Sequence, residues 1–76
     1  MNNILSESTT PSGHRLILVD NGAVFAQRYC TGIIYPCDFE HTEKTGVLCW
    51  SNGWYQSNLD IAKDDMLTRS GAQDPF

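Results

Sequence analysis

Four residues of this chain have side chains that could do chemistry together: Cys30, Cys37, His41 and Cys49. Three thiolates and one imidazole are the ligand set of a structural Cys3His zinc site, and a 76-residue domain has little core to rely on without such a staple. The spacing argues the other way. Six, three and seven residues separate the four positions, which is not the paired Cys-x2-Cys pattern by which zinc ribbons clamp the ion. The favoured reading therefore makes the cysteines free thiols in packing and loop positions, with no cofactor; a small zinc-stabilised β domain is the alternative. Catalysis has still less to stand on. Cys37 and His41 pair a thiol with a base, but four residues apart in a loop they do not make a dyad. Asp64 and Asp65 are neighbours that would diverge by about 100° on a helix and form a solvated face. His14, near the start of a strand, reads as an edge residue. The chain is not expected to be an enzyme, since so short a sequence has little volume for a concave pocket.

The second group of interest is aromatic. Gly46 to Ser57 carries Trp50, Trp54 and Tyr55 around Asn52-Gly53, the dipeptide suited to a two-residue type I′ turn. Pairing outward from that turn sets Ser51 opposite Trp54 and Trp50 opposite Tyr55. Trp50 and Tyr55 then share one face, while Trp54 lies on the other with Cys49 and Val47. Exposed Trp and Tyr with few charges nearby are typical interface anchors. Trp54, Tyr55 and Val47 are therefore candidate partner-binding residues.

The elements that position these groups are mostly strands. Arg15 to Asp20, Asn21-Gly22 and Ala23 to Tyr29 predict a first hairpin with the same tight turn, setting Val19 opposite Val24 and Leu18 opposite Phe25. Both faces of that ribbon are apolar near the turn, so the face carrying Ile17, Val19, Val24 and Ala26 needs a cover: barrel closure, a C-terminal helix, or another chain. Val19 and Val24 join the candidate partner-binding set, and a homodimer through this face is one way to cover it. The second strand continues through Ile34, with Gly32 the place for a bulge and Pro36 ending the ladder. Cys37 to Thr45 is polar and acidic and reads as an exposed loop. From Asn58 a short helix is expected, capped by Asn58 or Asp60, with Ile61, Ala62, Met66 and Leu67 on its apolar side.

Composition narrows the class. Hydrophobic residues at 41% and charged residues at 18% suit a globular domain. The net charge of −4, with five scattered Lys and Arg, disfavours phosphate contacts and so a nucleic-acid partner. No run approaches the ~20 apolar residues of a membrane span and no signal peptide is evident, which predicts a cytoplasmic protein with no membrane partner. The odd count of three cysteines agrees.

The stretch Ile4 to Val19 resembles the opening of a small prophage-encoded family of unknown function, whose members look like W-I-x-V followed by L-P-x-x-G-x-x-V-L-V and later a G-W-Y step. Pro11, Gly13, Leu16, Leu18 and Val19 match the first part, Ala26 and Tyr29 fall near a middle step, and Gly53-Trp54-Tyr55 match the last; the family's closing T-H-W-x-P-L-P motif is absent. The resemblance implies a phage or prophage accessory protein and transfers no catalytic residue. Taken together, the expectation is a mainly β protein: a four- to five-stranded antiparallel meander, either left open or rolled into a small SH3-like barrel, with a short C-terminal helix. Residues 1–13 are expected as a flexible N-terminal arm with Ile4 and Leu5 able to dock as an edge, 14–69 as the single β domain, and 70–76 as a flexible tail. Its expected function is a non-enzymatic protein-binding module that modulates or inhibits a host protein.

Overall fold

The computed structural model describes residues 3–71, and the final residues of the expected tail lie outside them. Its central strand β2 (Arg15–Asp20) carries four consecutive buried residues, Leu16, Ile17, Leu18 and Val19. Successive strand side chains point to opposite faces, so this run requires cover on both sides of the sheet. β2 pairs antiparallel with β1 (Asn3–Thr9) and β3 (Tyr29–Ile34), and β3 pairs antiparallel with β4 (Ser51–Gln56). The four strands lie in sequence order in one sheet. The protein is thus mainly β, an antiparallel meander with the C-terminal helix α2 (Leu59–Ser70). Closure into a barrel does not occur: the sheet is open, with β1 and β4 as its edges, because α2 packs on the face a barrel would enclose. Residues 3–9 of the expected arm form the edge strand β1. Among the described residues, no helix is long and apolar enough to cross a membrane.

The first face is covered by α2. Asn58 caps the helix, its side-chain oxygen accepting from the backbone N–H of Asp60 at 2.8 Å and of Ile61 at 3.3 Å. Leu59, Ala62 and Met66 then meet Leu16, Leu18, Tyr29 and Ile33. Ile61 and Leu67, expected on the packing side, stay about half exposed. The last turn is pinned by Arg69, whose guanidinium donates to the carbonyl of Thr31 at 2.8 Å, to the Thr31 hydroxyl at 2.9 Å and to the carbonyl of Asn52. It also lies 4.4 Å from the centre of the Trp54 ring, a cation–π contact.

The second face is covered by the chain leading into β4. Ile17, Val19 and Ile34 pack with Leu48 and Trp50. Trp50 reaches the sheet because position 32 is glycine: a Cβ built there would run into the indole. The cover expected from a barrel, a helix or another chain is supplied here by the 46–50 connector.

That connector is set by an unexpected element. Cys37 to Thr45, read as an exposed loop, lies within helix α1 (Pro36–Thr45). Pro36 suits the first helical position, Asp38 accepts from the Tyr35 N–H at 3.0 Å, and Gly46 ends the helix in the left-handed conformation (φ 72°). The helix buries no residue, so its sequence lacks the apolar period by which helices are usually read. Thr42 turns the chain back, its hydroxyl accepting from the Cys49 N–H at 3.0 Å, and the Ser51 hydroxyl reaches Asp38 at 2.9 Å.

Neither Asn-Gly pair makes a two-residue turn. At the first, Asp20 pairs with Tyr29 instead of Ala23, so eight residues, 21–28, form the connection. At the second, Asn52-Gly53 lies inside β4 and makes a bulge, two residues facing Gly32 where the register shifts between Thr31 and Ile33. The positive φ that suits Asn to a turn serves the bulge instead (Asn52, φ 52°). The bulge has a consequence for the aromatics. Trp50 and Tyr55 are five residues apart, which strict alternation would place on opposite faces; the extra residue returns them to the same one, while Trp54, beside Thr31, faces α2. The glycine under Trp50 is therefore the position least able to change. Gly32→Ala should lower stability by about 1–3 kcal/mol through overpacking, read as a reduced urea midpoint with an unchanged slope; a midpoint equal to wild type would contradict the close approach.

Candidate functional site

The most distinctive surface is built from the 21–28 connection. Asp20, at the end of β2, and Arg28, the last residue of the connection, close its base: Arg28 Nε donates to Asp20 Oδ1 at 2.7 Å and Nη2 to Oδ2 at 2.8 Å. The same Oδ1 accepts from the Gly22 N–H at 2.9 Å, and the Asn21 N–H donates to the Arg28 carbonyl at 2.9 Å. A second turn inside the loop is closed by the Phe25 N–H on the Gly22 carbonyl at 3.2 Å, with Gly22 in positive φ (105°). The clamp also shows in the electrostatics. The Arg28 hydrogen bonds first, and the Gly22 N–H second, lower the Asp20 carboxyl from 3.8 to about 2.

What the clamp holds up is apolar. Val24 is 90% exposed and Phe25 58% exposed at the crest of the loop. Behind them, on the same face of the sheet, stand Trp50 and Tyr55, the latter 47% exposed with its ring leaning back over Gly53. Phe25, Ala26, Trp50 and Tyr55, with the amides Asn21 and Gln27, line one groove of ≈ 480 Å³. None of the six carries a formal charge. The groove can offer ring faces, amide hydrogen bonds, an indole N–H and a phenol hydroxyl. A larger groove of ≈ 610 Å³ runs on the opposite face where α2 falls short of β1, lined by the apolar residues Leu5, Leu18, Leu59, Met66 and Leu67 together with serines and the charged Glu7 and Lys63. It presents no aromatic ring.

The sequence candidates divide accordingly. Tyr55 lies in the aromatic groove and Val24 at its crest. Val19 is fully buried beneath the sheet surface, so it offers a partner nothing directly. Val47 is exposed in the connector after α1. Trp54 is on the other face, where it serves as the platform for Arg69 and keeps 44% of its surface exposed. Phe25 and Trp50 join the candidates in the structure; the tight-turn reading places Phe25 in a strand, opposite Leu18. The opposite charges of Asp20 and Arg28, eight residues apart around an apolar tetrapeptide, were the available sign of a closed loop. Of the second ribbon face, expected to need a cover, Ile17 and Val19 are covered within the chain by Leu48 and Trp50, while Val24 stands exposed.

The zinc ligands do not gather. Among the described residues, no group of three or more His, Cys, Asp or Glu side chains is placed to hold a metal. Cys37 and His41 are one helical turn apart on α1, but Cys30 is buried in β3. Burial pushes the Cys30 thiol up, disfavouring the thiolate a metal would need, and its sulfur donates to the Thr31 carbonyl at 3.4 Å. Cys49 likewise donates to the Val47 carbonyl at 3.4 Å. Comparison with protein-family models, with curated proteins and with solved structures returns no match.

Two outcomes follow from this geometry. Because folding depresses the Asp20 pKa, its contribution is present above the ordinary value of 3.8 and disappears as pH falls through about 2. The Gly22 amide, bonded to that carboxylate, should report a titration midpoint of about 2 by NMR, and a midpoint at 3.8 would mean the clamp is open in solution. For the metal, the chain purified without chelator should show the bare polypeptide mass under native mass spectrometry and an unchanged melting curve in EDTA; a zinc adduct lost together with stability would restore the four-ligand reading.

Proposed function

We propose that this chain is a non-enzymatic protein-binding module of the cytoplasm, and that its contact surface is the groove formed by Phe25, Trp50 and Tyr55 with Val24 at its crest. One observation carries this: an apolar loop is held out to solvent by a charged clamp at its base. Apolar side chains on a connection of this length gain free energy by folding back on the sheet. Holding them out next to two more aromatic rings is the arrangement of an interface anchor. The uncharged lining and the net charge of −4 favour a protein over a nucleic acid as the partner. The resemblance of residues 4 to 55 to a prophage-encoded family makes a host protein the class of partner and modulation of that protein the role.

The test compares two chains in the same cells. Affinity capture with the wild-type protein should recover at least one host protein that the Phe25→Ser variant recovers at about tenfold lower yield or less. Phe25 is exposed, so the variant should melt within a few degrees of wild type. Identical recovery by the two chains would defeat the assignment of this surface.

A further inference from the structure

The chemistry of the groove narrows the partner. We propose that it receives a proline-rich segment of the partner protein, bound in the extended polyproline II conformation. The proposal rests on the groove being the protein-contact surface, and adds what kind of segment fits it.

Three features point the same way. The first is the arrangement of rings. Trp50 lies against the sheet over Gly32 and Tyr55 leans over Gly53, so close that a Cβ at either glycine would meet the ring. Both rings are thereby backed by main chain, and Phe25, on the clamped loop, lines the same groove. Fixed aromatic rings along one groove suit the flat, rigid pyrrolidine rings of successive prolines.

The second is the balance of donors and acceptors. The polar side-chain groups of the lining are the amides of Asn21 and Gln27, each with two N–H donors and one acceptor oxygen, the Trp50 indole N–H and the Tyr55 hydroxyl, so donors outnumber acceptors. A proline residue brings a carbonyl acceptor and no N–H. Its carbonyls can be met by the amide donors, and it carries no donor of its own to desolvate against the rings. An oligosaccharide, or an extended peptide with a full set of N–H groups, would bring many donors to a lining whose side chains offer three acceptor oxygens, those of Asn21, Gln27 and Tyr55, and unmet buried donors weaken binding. A polyproline segment also loses little conformational freedom on docking, because its conformation is preformed.

The third is charge. Asp20 and Arg28 neutralise each other at the groove's edge, so the lining favours an uncharged ligand core. The chain as a whole is at −4, which favours basic residues on either side of that core and makes their benefit dependent on salt.

The experiment titrates the full-length 15N-labelled protein with a polyproline peptide, the same peptide flanked by arginines, a glycine-serine peptide of equal length, and a chito-oligosaccharide. Saturable shifts are expected from both proline peptides at the Trp50 indole N–H, the Asn21 and Gln27 side-chain amides and the 21–28 backbone. The arginine-flanked form should bind more tightly at low salt. Phe25→Ala should weaken the affinity about tenfold or more, and Leu67→Ser, on the other face, should leave it unchanged. Absence of saturable shifts with both proline peptides at millimolar concentration would overturn the proposal. So would equal binding of the glycine-serine peptide, preference for the oligosaccharide, or proline binding indifferent to Phe25→Ala. If proline peptides fail while capture of a host protein still depends on Phe25, the surface is correctly placed and only the ligand class is wrong.

Discussion

Four adjacent residues of β2, Leu16, Ile17, Leu18 and Val19, are buried, and the rest of the molecule is arranged to keep water from both sides of that one strand. Burying a side chain of this kind contributes about 1.5–3 kcal/mol, against a net stability of about 5–15 kcal/mol for an entire domain. A sheet with either face bare would forfeit a large share of that margin. The chain answers with two dissimilar covers. Helix α2, with Leu59, Ala62 and Met66, takes one face. The other is taken by Leu48 and Trp50, carried on a short connector with no regular structure of its own.

The connector works because several small features agree. Helix α1 buries nothing, yet it sets where the chain turns back, and its Asp38 and Thr42 hold the start of β4 and the segment before it. Glycine at position 32 leaves room for the indole. The bulge at Asn52-Gly53 then partitions the aromatics, giving Trp50 and Tyr55 to one face and Trp54 to the other. Arg69 ties that bulge to the end of α2, bridging the carbonyls of Thr31 and Asn52 while resting on Trp54. Burial lowers its pKa, but a guanidinium remains charged under all ordinary conditions, so this link between helix and sheet is not switched by pH.

The same economy explains why the aromatic groove lies where it does. Trp50 is both a core residue and a wall of the groove, so the side of the sheet closed by the connector is also the side that carries an uncharged aromatic surface. The loop that completes the groove is fixed at its base by a two-pronged ion pair and backbone hydrogen bonds, which limits the entropy its crest would lose on contact with a partner. The reactive side chains are kept apart from this surface or held inert: Cys30 is buried with its thiol protonated, and Cys37 stands on α1.

The apolar run of β2, the cap at Asn58 and the apolar residues after it were enough to specify a mainly antiparallel β protein with a C-terminal helix, because those signals are local. The aromatic stretch around Asn52-Gly53 could also be recognised, together with the sharing of a face by Trp50 and Tyr55. The mechanism behind that sharing could not. Asn-Gly states a tolerance for positive φ, and a turn and a bulge use it equally well; pairing with β3 at Gly32 decided for the bulge. At Asn21-Gly22 the same tolerance was absorbed into a longer loop once Asp20 found Arg28. α1 escaped notice because a helix with no buried side has no period to read, leaving only Pro36, Asp38 and Gly46 as its marks. The chain alone therefore determined which residues seek burial and where the backbone can bend. Only the tertiary structure decided which bends close a turn, which face each aromatic serves, and hence that Phe25, Trp50 and Tyr55 meet in one groove, since those outcomes depend on contacts between residues far apart in the sequence.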